Sequence, residues 1–161
     1  MATSAEDGDR VSLRYYMQQH CARQWAHFLA AMFAEFEERV DPAEADQFLE
    51  TLGTRMAQSL PLRRCDSLAE LEDDINAVLE GIDWGWVQIT EAGDYVEIVH
   101  GAYPVVAQDE ARRSWIAPVL EGLYTEWMAE QGGDASCSAR LIAPPATFGG
   151  PFHFRYGRHG D

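Results

Sequence analysis

Near Ile82 the spacing of apolar residues changes from the 3.6-residue period of a helix to the two-residue period of a strand. This switch constrains the fold more than any other feature of the chain. Upstream, Leu13, Met17, Cys21, Trp25, Phe28, Leu29, Met32, Phe33, Phe36 and Val40 follow i, i+3, i+4, i+7 spacing and predict an amphipathic helix over 13–40. Asp41-Pro42-Ala43-Glu44 starts a second helix, with a capping carboxylate and a proline suited to the first turn. It runs to about Leu60, with Phe48, Leu49, Leu52 and Met56 expected inward, and Pro61 stops it. Ser67-Leu68-Ala69-Glu70 is another capping box. The third helix it opens carries a stripe of Leu68, Leu71, Ile75, Val78, Leu79 and Ile82, and its acids at 70, 72, 73, 74 and 80 fall mostly outward.

Downstream, 84–90 and 95–100 read as strands flanking Glu91-Ala92-Gly93-Asp94, a hairpin with Gly93 in the turn. A fourth helix over 114–133 buries Trp115, Ile116, Val119, Leu120, Leu123, Tyr124, Trp127 and Met128, takes Pro118 into its first turn and ends at Gly132-Gly133. Strands at about 136–143 and 152–156 complete the chain. The order predicts an α+β fold: three N-terminal helices, a β-hairpin, a helix and a second β-hairpin, forming a small antiparallel sheet. The expected organisation is a flexible lead-in over 1–12 and one domain over 13–161, whose N-terminal helical part covers about 13–60. A chain of 161 residues buries enough surface to fold without disulfide staples.

Alternation along Ile82-Asp83-Trp84-Gly85-Trp86 places Trp84 and Trp86 on one strand face, as a platform for a sugar ring or as ordinary core. Core anchoring is expected for Trp84. Trp86 is expected to share that environment and to be the more exposed of the two. Gly85 permits a bulge or a close backbone approach.

Charge narrows the partners. The net charge is −15, with 27 acidic residues against 12 basic ones, all arginine and unclustered. Nucleic acid and anionic lipid need clustered cations and are poor candidates as partners; a neutral ligand or a basic protein suits this surface. The three cysteines are widely spaced and suggest neither disulfides nor a zinc site. The start, MATSAEDGDR, lacks the basic and apolar segments of a signal peptide, and no apolar run approaches the length of about 20 residues of a bilayer span. A cytoplasmic protein without membrane insertion is expected.

Reactive constellations are missing from the sequence. There is no G-x-S-x-G elbow, phosphate loop, H-E-x-x-H or calcium loop. His20 and His27 share a helix face without a completing carboxylate, and Glu37 and Glu38 point in different directions. No enzymatic role, metal or cofactor is expected. The surplus is aromatic: Trp25, Phe28, Phe33 and Phe36 exceed what one helix needs against a small sheet and predict an oligomer interface. If sugar is bound, Tyr15, Tyr16, Gln18 and Gln19 combine aromatic faces with neutral hydrogen-bonding groups and are the candidate glucan contacts.

Three stretches resemble one family. SLAELEDDINAVLEGIDWGWVQIT, YVEIVHGAYP and SWIAPVLEGLYTEWMAEQGG are similar, in order, to the D subunit of bacterial cellulose synthase. The shared pattern falls on Ile82, Trp84 and Gly85; on Ile98, Val99, His100 and Pro104; and on Trp115, Ala117, Pro118, Glu121, Gly122 and Tyr124, with Gly53-Thr54-Arg55 preceding. The resemblance covers roughly 53–132. It implies a non-catalytic accessory subunit that helps order nascent β-1,4-glucan chains for crystalline export. It also implies assembly as dimers building a ring-like octamer, with proteins of the cellulose synthase complex as partners. A periplasmic location is the alternative the family suggests. An acidic helical adaptor that binds a basic or proline-rich protein is the alternative function.

Overall fold

A computed structural model describes residues 22–105, 114–147 and 149–158. Four helices, α1 (Arg23–Arg39), α2 (Pro42–Ser59), α3 (Leu68–Gly81) and α4 (Ile116–Glu130), combine with β1 (Trp86–Ala92), β2 (Tyr95–Gly101), β3 (Cys137–Ala143) and β4 (Phe152–Arg158). The expected α+β order is the observed one. The strands form one antiparallel sheet in the order β1-β2-β4-β3.

Local signals place the boundaries. Asp41 accepts a hydrogen bond from the Ala43 N–H (2.9 Å) with Pro42 in the first turn of α2, and Ser67 accepts from the Glu70 N–H (3.2 Å) at the start of α3. The first hairpin turns through Gly93 and Asp94, with a left-handed φ at Gly93 alone, as a type II′ turn requires.

One sheet face is buried. Val87, Ile89, Ile98, His100, Ala139, Phe152, Phe154 and Tyr156 line it. Against it lies α4, which buries Leu120, Leu123, Tyr124 and Trp127 without residual exposure. It also buries Ala117, Pro118, Val119, Gly122 and Met128, so it is apolar nearly all round, as befits a helix held between the sheet and α2. Helix α2 meets α4 through Ala45, Leu49, Gly53 and Ala57, spaced four apart. The approach is so close that a Cβ on Gly53 would lie 1.9 Å from the Val119 carbonyl oxygen, and one on Gly122 would lie 1.9 Å from that of Glu50.

Two expectations about burial need correcting, Phe48 as an inward residue and Asp74 as an outward one. Phe48 is 46 % exposed: it lies one residue before the Leu49 stripe, outside the narrow row of α2 that fits α4, and its ring stacks on Phe36 (5.3 Å). Asp74 is buried, because it accepts from both the N–H (2.8 Å) and Nε (2.6 Å) of Arg63 and so ties the 60–66 loop to α3. The Arg63 backbone N–H, and then its guanidinium, hold the Asp74 carboxyl below its ordinary range.

Both sheet edges are closed by helix side chains spaced i, i+4. On β1, Asn76 accepts from the Val87 N–H (2.8 Å) and donates to the Val87 carbonyl (2.9 Å), while Glu72 accepts from the Ile89 N–H (2.6 Å). On β3, Thr125 accepts from the Ala139 N–H (2.8 Å) and Glu121 from the Leu141 N–H (2.6 Å). These groups replace a neighbouring strand, so neither edge is free to recruit another chain at those positions. Asn76→Ala leaves the donor and acceptor of Val87 unpaired, at an expected cost of about 2 kcal/mol in urea denaturation. Asn76→Asp retains the acceptor for the N–H and is expected to lose less.

Candidate functional site

The family-like residues gather at one node in the core. Helix α3 ends in a Schellman arrangement: the Trp84 N–H donates to the Leu79 carbonyl (2.9 Å) and the Asp83 N–H to that of Glu80 (3.3 Å), with Asp83 left-handed at φ 56°. Ile82 is thus the C-cap, and Trp84 the residue that folds back onto the core. Gly85 follows at φ 87°, where a Cβ would meet the Gly101 carbonyl oxygen at 2.0 Å. That left-handed residue breaks the alternation. Strand β1 begins at Trp86, so Trp84 and Trp86 do not share a strand face: Trp84 packs between the two hydrophobic clusters, while Trp86 is 45 % exposed.

The Trp84 carbonyl accepts from Nε2 of His100 (2.9 Å), whose Nδ1 lies 2.6 Å from the Tyr124 hydroxyl. A carbonyl only accepts, so Nε2 carries the proton and Nδ1 accepts from Tyr124. Burial drives the His100 pKa down to about 4 and that of Tyr124 well above its ordinary value. Helix end, strand and central helix are joined by this chain of bonds, and its two side chains are fully buried.

The remaining motif positions also pack or hydrogen-bond within the fold. Trp115 is buried at the N-cap of α4, stacked on Phe33 (5.0 Å), and Pro118 occupies the first turn. Glu121, half-buried, binds the β3 edge and Arg140, which also pairs with Glu50 of α2 (2.7 Å). Burial raises the Glu121 pKa, opposed by the Leu141 N–H and by Arg140. Gly122 sits at the α2–α4 crossing, opposite the backbone of Glu50.

The second candidate surface is α1. None of its residues is buried. Its C-terminal half packs through Phe33, Phe36 and Val40 onto the cluster around Trp115 and Leu49. Trp25 and Phe28 lie in its N-terminal half, edge-to-face at 6.0 Å, and are 54 % and 58 % exposed. The four aromatics therefore divide into two that cement α1 to its own domain and two that face outward. Tyr15, Tyr16, Gln18 and Gln19 lie outside the described residues.

Among the described residues no three His, Cys, Asp or Glu side chains are grouped to hold a metal ion, and no helix is long and apolar enough to cross a membrane. Burial pushes the Cys65 thiol pKa up, away from a reactive thiolate. The edge-sealing side chains Glu72, Asn76 and Thr125 carry no motif. Their trace in the sequence is polar pairs four apart on helices whose neighbouring positions are apolar.

The model of the family described as the D subunit of cellulose synthase matches residues 11–156. Cellulose synthase operon protein D of Komagataeibacter xylinus is 33 % identical over 109 residues, covering 66 % of this chain and 70 % of that protein. Its counterpart in Komagataeibacter sucrofermentans is 32 % identical over the same shares. The matched span takes in the Trp84–His100–Tyr124 node and the glycine crossing of α2 with α4, and by it the chain belongs to the family of cellulose synthase D subunits.

Proposed function

We propose that this protein is a non-catalytic accessory subunit of bacterial cellulose synthesis. It acts as an oligomeric scaffold that helps order nascent β-1,4-glucan chains for crystalline export, within a complex that contains the synthase. Family membership supports the role in cellulose synthesis. The scaffold reading rests on one observation, the outward pair Trp25 and Phe28 on a helix with no buried residue. Two large aromatics more than half exposed and edge to face are a costly surface for a monomer, and a second copy covers them best. The buried, fully bonded state of the His100 node supports a structural role for the motif residues in place of a chemical one.

Light scattering at micromolar concentration is expected to give a mass several times the 18.1 kDa chain. Trp25→Ser with Phe28→Ser is expected to lower that mass while the circular dichroism spectrum stays close to wild type, since neither ring belongs to the core clusters. In a cellulose-producing host deprived of its own D subunit, the wild-type chain is expected to restore crystalline cellulose and the double variant to restore far less. A wild-type monomer of 18.1 kDa would overturn the scaffold reading.

A further inference from the structure

We infer that Trp86 and the cleft at its foot form a docking site for one segment of a neutral β-linked glucan. The inference rests on the proposed contact with glucan and names a site for it on the folded domain, away from the N-terminal segment.

The indole is held in place before any ligand arrives. Trp86 pairs across the hairpin with Gly101, and a Cβ on Gly101 would lie 2.4–2.8 Å from Cζ2, Cε2 and Nε1 of the indole. The ring therefore fills the space that glycine leaves, with one side against β2, and the residue stays 45 % exposed. A pyranose stacks its C–H face on such a ring, and a ring already fixed loses little entropy when it does so.

Beside the ring is an open cleft of about 320 Å³ lined by Asn76, Glu80, Asp83, Gly85, Trp86 and Ala102. That volume lies within the range of small-ligand sites. Its lining joins an apolar platform to two carboxylates, and neither the Glu80 nor the Asp83 carboxylate has a hydrogen-bond or ion-pair partner among the described residues. Free carboxylates accept from sugar hydroxyls, which are donors. They also repel phosphates and uronic acids, as does the net charge of −15, so the sugar that fits is uncharged. Addition of a peptide strand does not compete here, because Asn76 and Glu72 already occupy the β1 edge.

The test uses the full chain labelled with 5-fluorotryptophan, which gives one fluorine signal for each of its five tryptophans. Trp86→Phe assigns the Trp86 signal. On addition of cellotetraose that signal is expected to shift saturably. Trp86→Ala is expected to weaken binding, measured by calorimetry, about ten-fold. Glu80→Gln with Asp83→Asn is expected to weaken it about five-fold; asparagine tolerates the left-handed φ at 83, so this variant should keep its fold.

Three results would overturn the site. If other signals move while Trp86 does not, glucan docks elsewhere and the wider function stands. If no signal moves and calorimetry is flat, both the site and direct glucan contact fall, while assembly is judged separately by light scattering. If only a cationic chitosan tetramer shifts Trp86, the cleft reads positive charge, and its natural occupant is a basic side chain of a partner.

Discussion

Gly122→Ala lowers the stability of the fold by about 3 kcal/mol, although alanine is the better helix former. Within an isolated helix the exchange gains roughly 0.5–1 kcal/mol, because glycine loses more backbone freedom on folding. Here the added methyl would sit 1.9 Å from the carbonyl oxygen and 2.7 Å from the carbonyl carbon of Glu50. These are main-chain atoms of α2, so no rotamer change relieves the clash. The two helices must part, and the separation is felt along Ala45, Leu49, Gly53 and Ala57 on one side and the buried α4 residues on the other. Overpacking of a well-filled core costs about 1–3 kcal/mol, more where backbone must move, and so outweighs the helical gain. Gly53→Ala is expected to behave alike, since its Cβ meets the Val119 carbonyl oxygen at the same distance. Gly81→Ala, at the end of α3 with nothing within 4 Å, keeps the propensity gain without the clash and is expected to hold or raise stability. Urea midpoints of the three variants check this; Gly122→Ala matching Gly81→Ala would mean that α2 and α4 do not approach as described.

The same crossing marks how far the sequence could be read. Element order was legible because apolar periodicity, caps and turn glycines each act locally: Asp41 and Ser67 cap, Gly93 turns and Gly132-Gly133 stop a helix where expected. Partners across space were not. The row Ala45, Leu49, Gly53, Ala57 is an i, i+4 pattern of mostly small residues, but its use depends on Gly122, which lies about seventy positions away. Phe48 obeys helical spacing too, and fails because only a narrow row of α2 fits against α4. Alternation through Trp84 and Trp86 fails at one residue, since the left-handed φ of Gly85 separates a helix end from a strand start. The aromatic surplus on α1 was visible as an excess. Its division into inward Phe33 and Phe36 and outward Trp25 and Phe28 depends on where α1 meets Trp115.

Acid weakens this fold through one histidine before it touches the stabilising carboxylates. His100 titrates at about 4 in the folded chain against 6.5 when free, because burial disfavours its cation by more than the Trp84 carbonyl favours it. The folded state thus takes up this proton at lower pH than the unfolded state does. The stabilisation is fully present above pH 6.5 and drains as pH falls from 6.5 towards 4, by about 1.4 kcal/mol per unit, or about 3 kcal/mol in all. Asp74, held low by Arg63, and Asp134, held at about 2 by Ser136 and Arg158, belong to a lower window: their contributions fade only as pH drops below the ordinary carboxylate range. Neutralising part of the −15 charge on acidification acts in the opposite sense by relieving repulsion, so wild type alone is not a clean reading. His100→Gln separates the two. Its amide offers a donor for the Trp84 carbonyl and an acceptor for Tyr124, yet never charges, while every surface group stays the same. The variant is expected to be less stable at pH 7.5 by about 1–3 kcal/mol, from imperfect fit in a sealed site. The gap should close or reverse by pH 4.5, because only the wild type has a proton to lose on folding. Urea midpoints of both proteins at half-unit steps measure the difference directly. Parallel curves from pH 7.5 to 4.5 would show that His100 is not the buried neutral link between α3, β2 and α4.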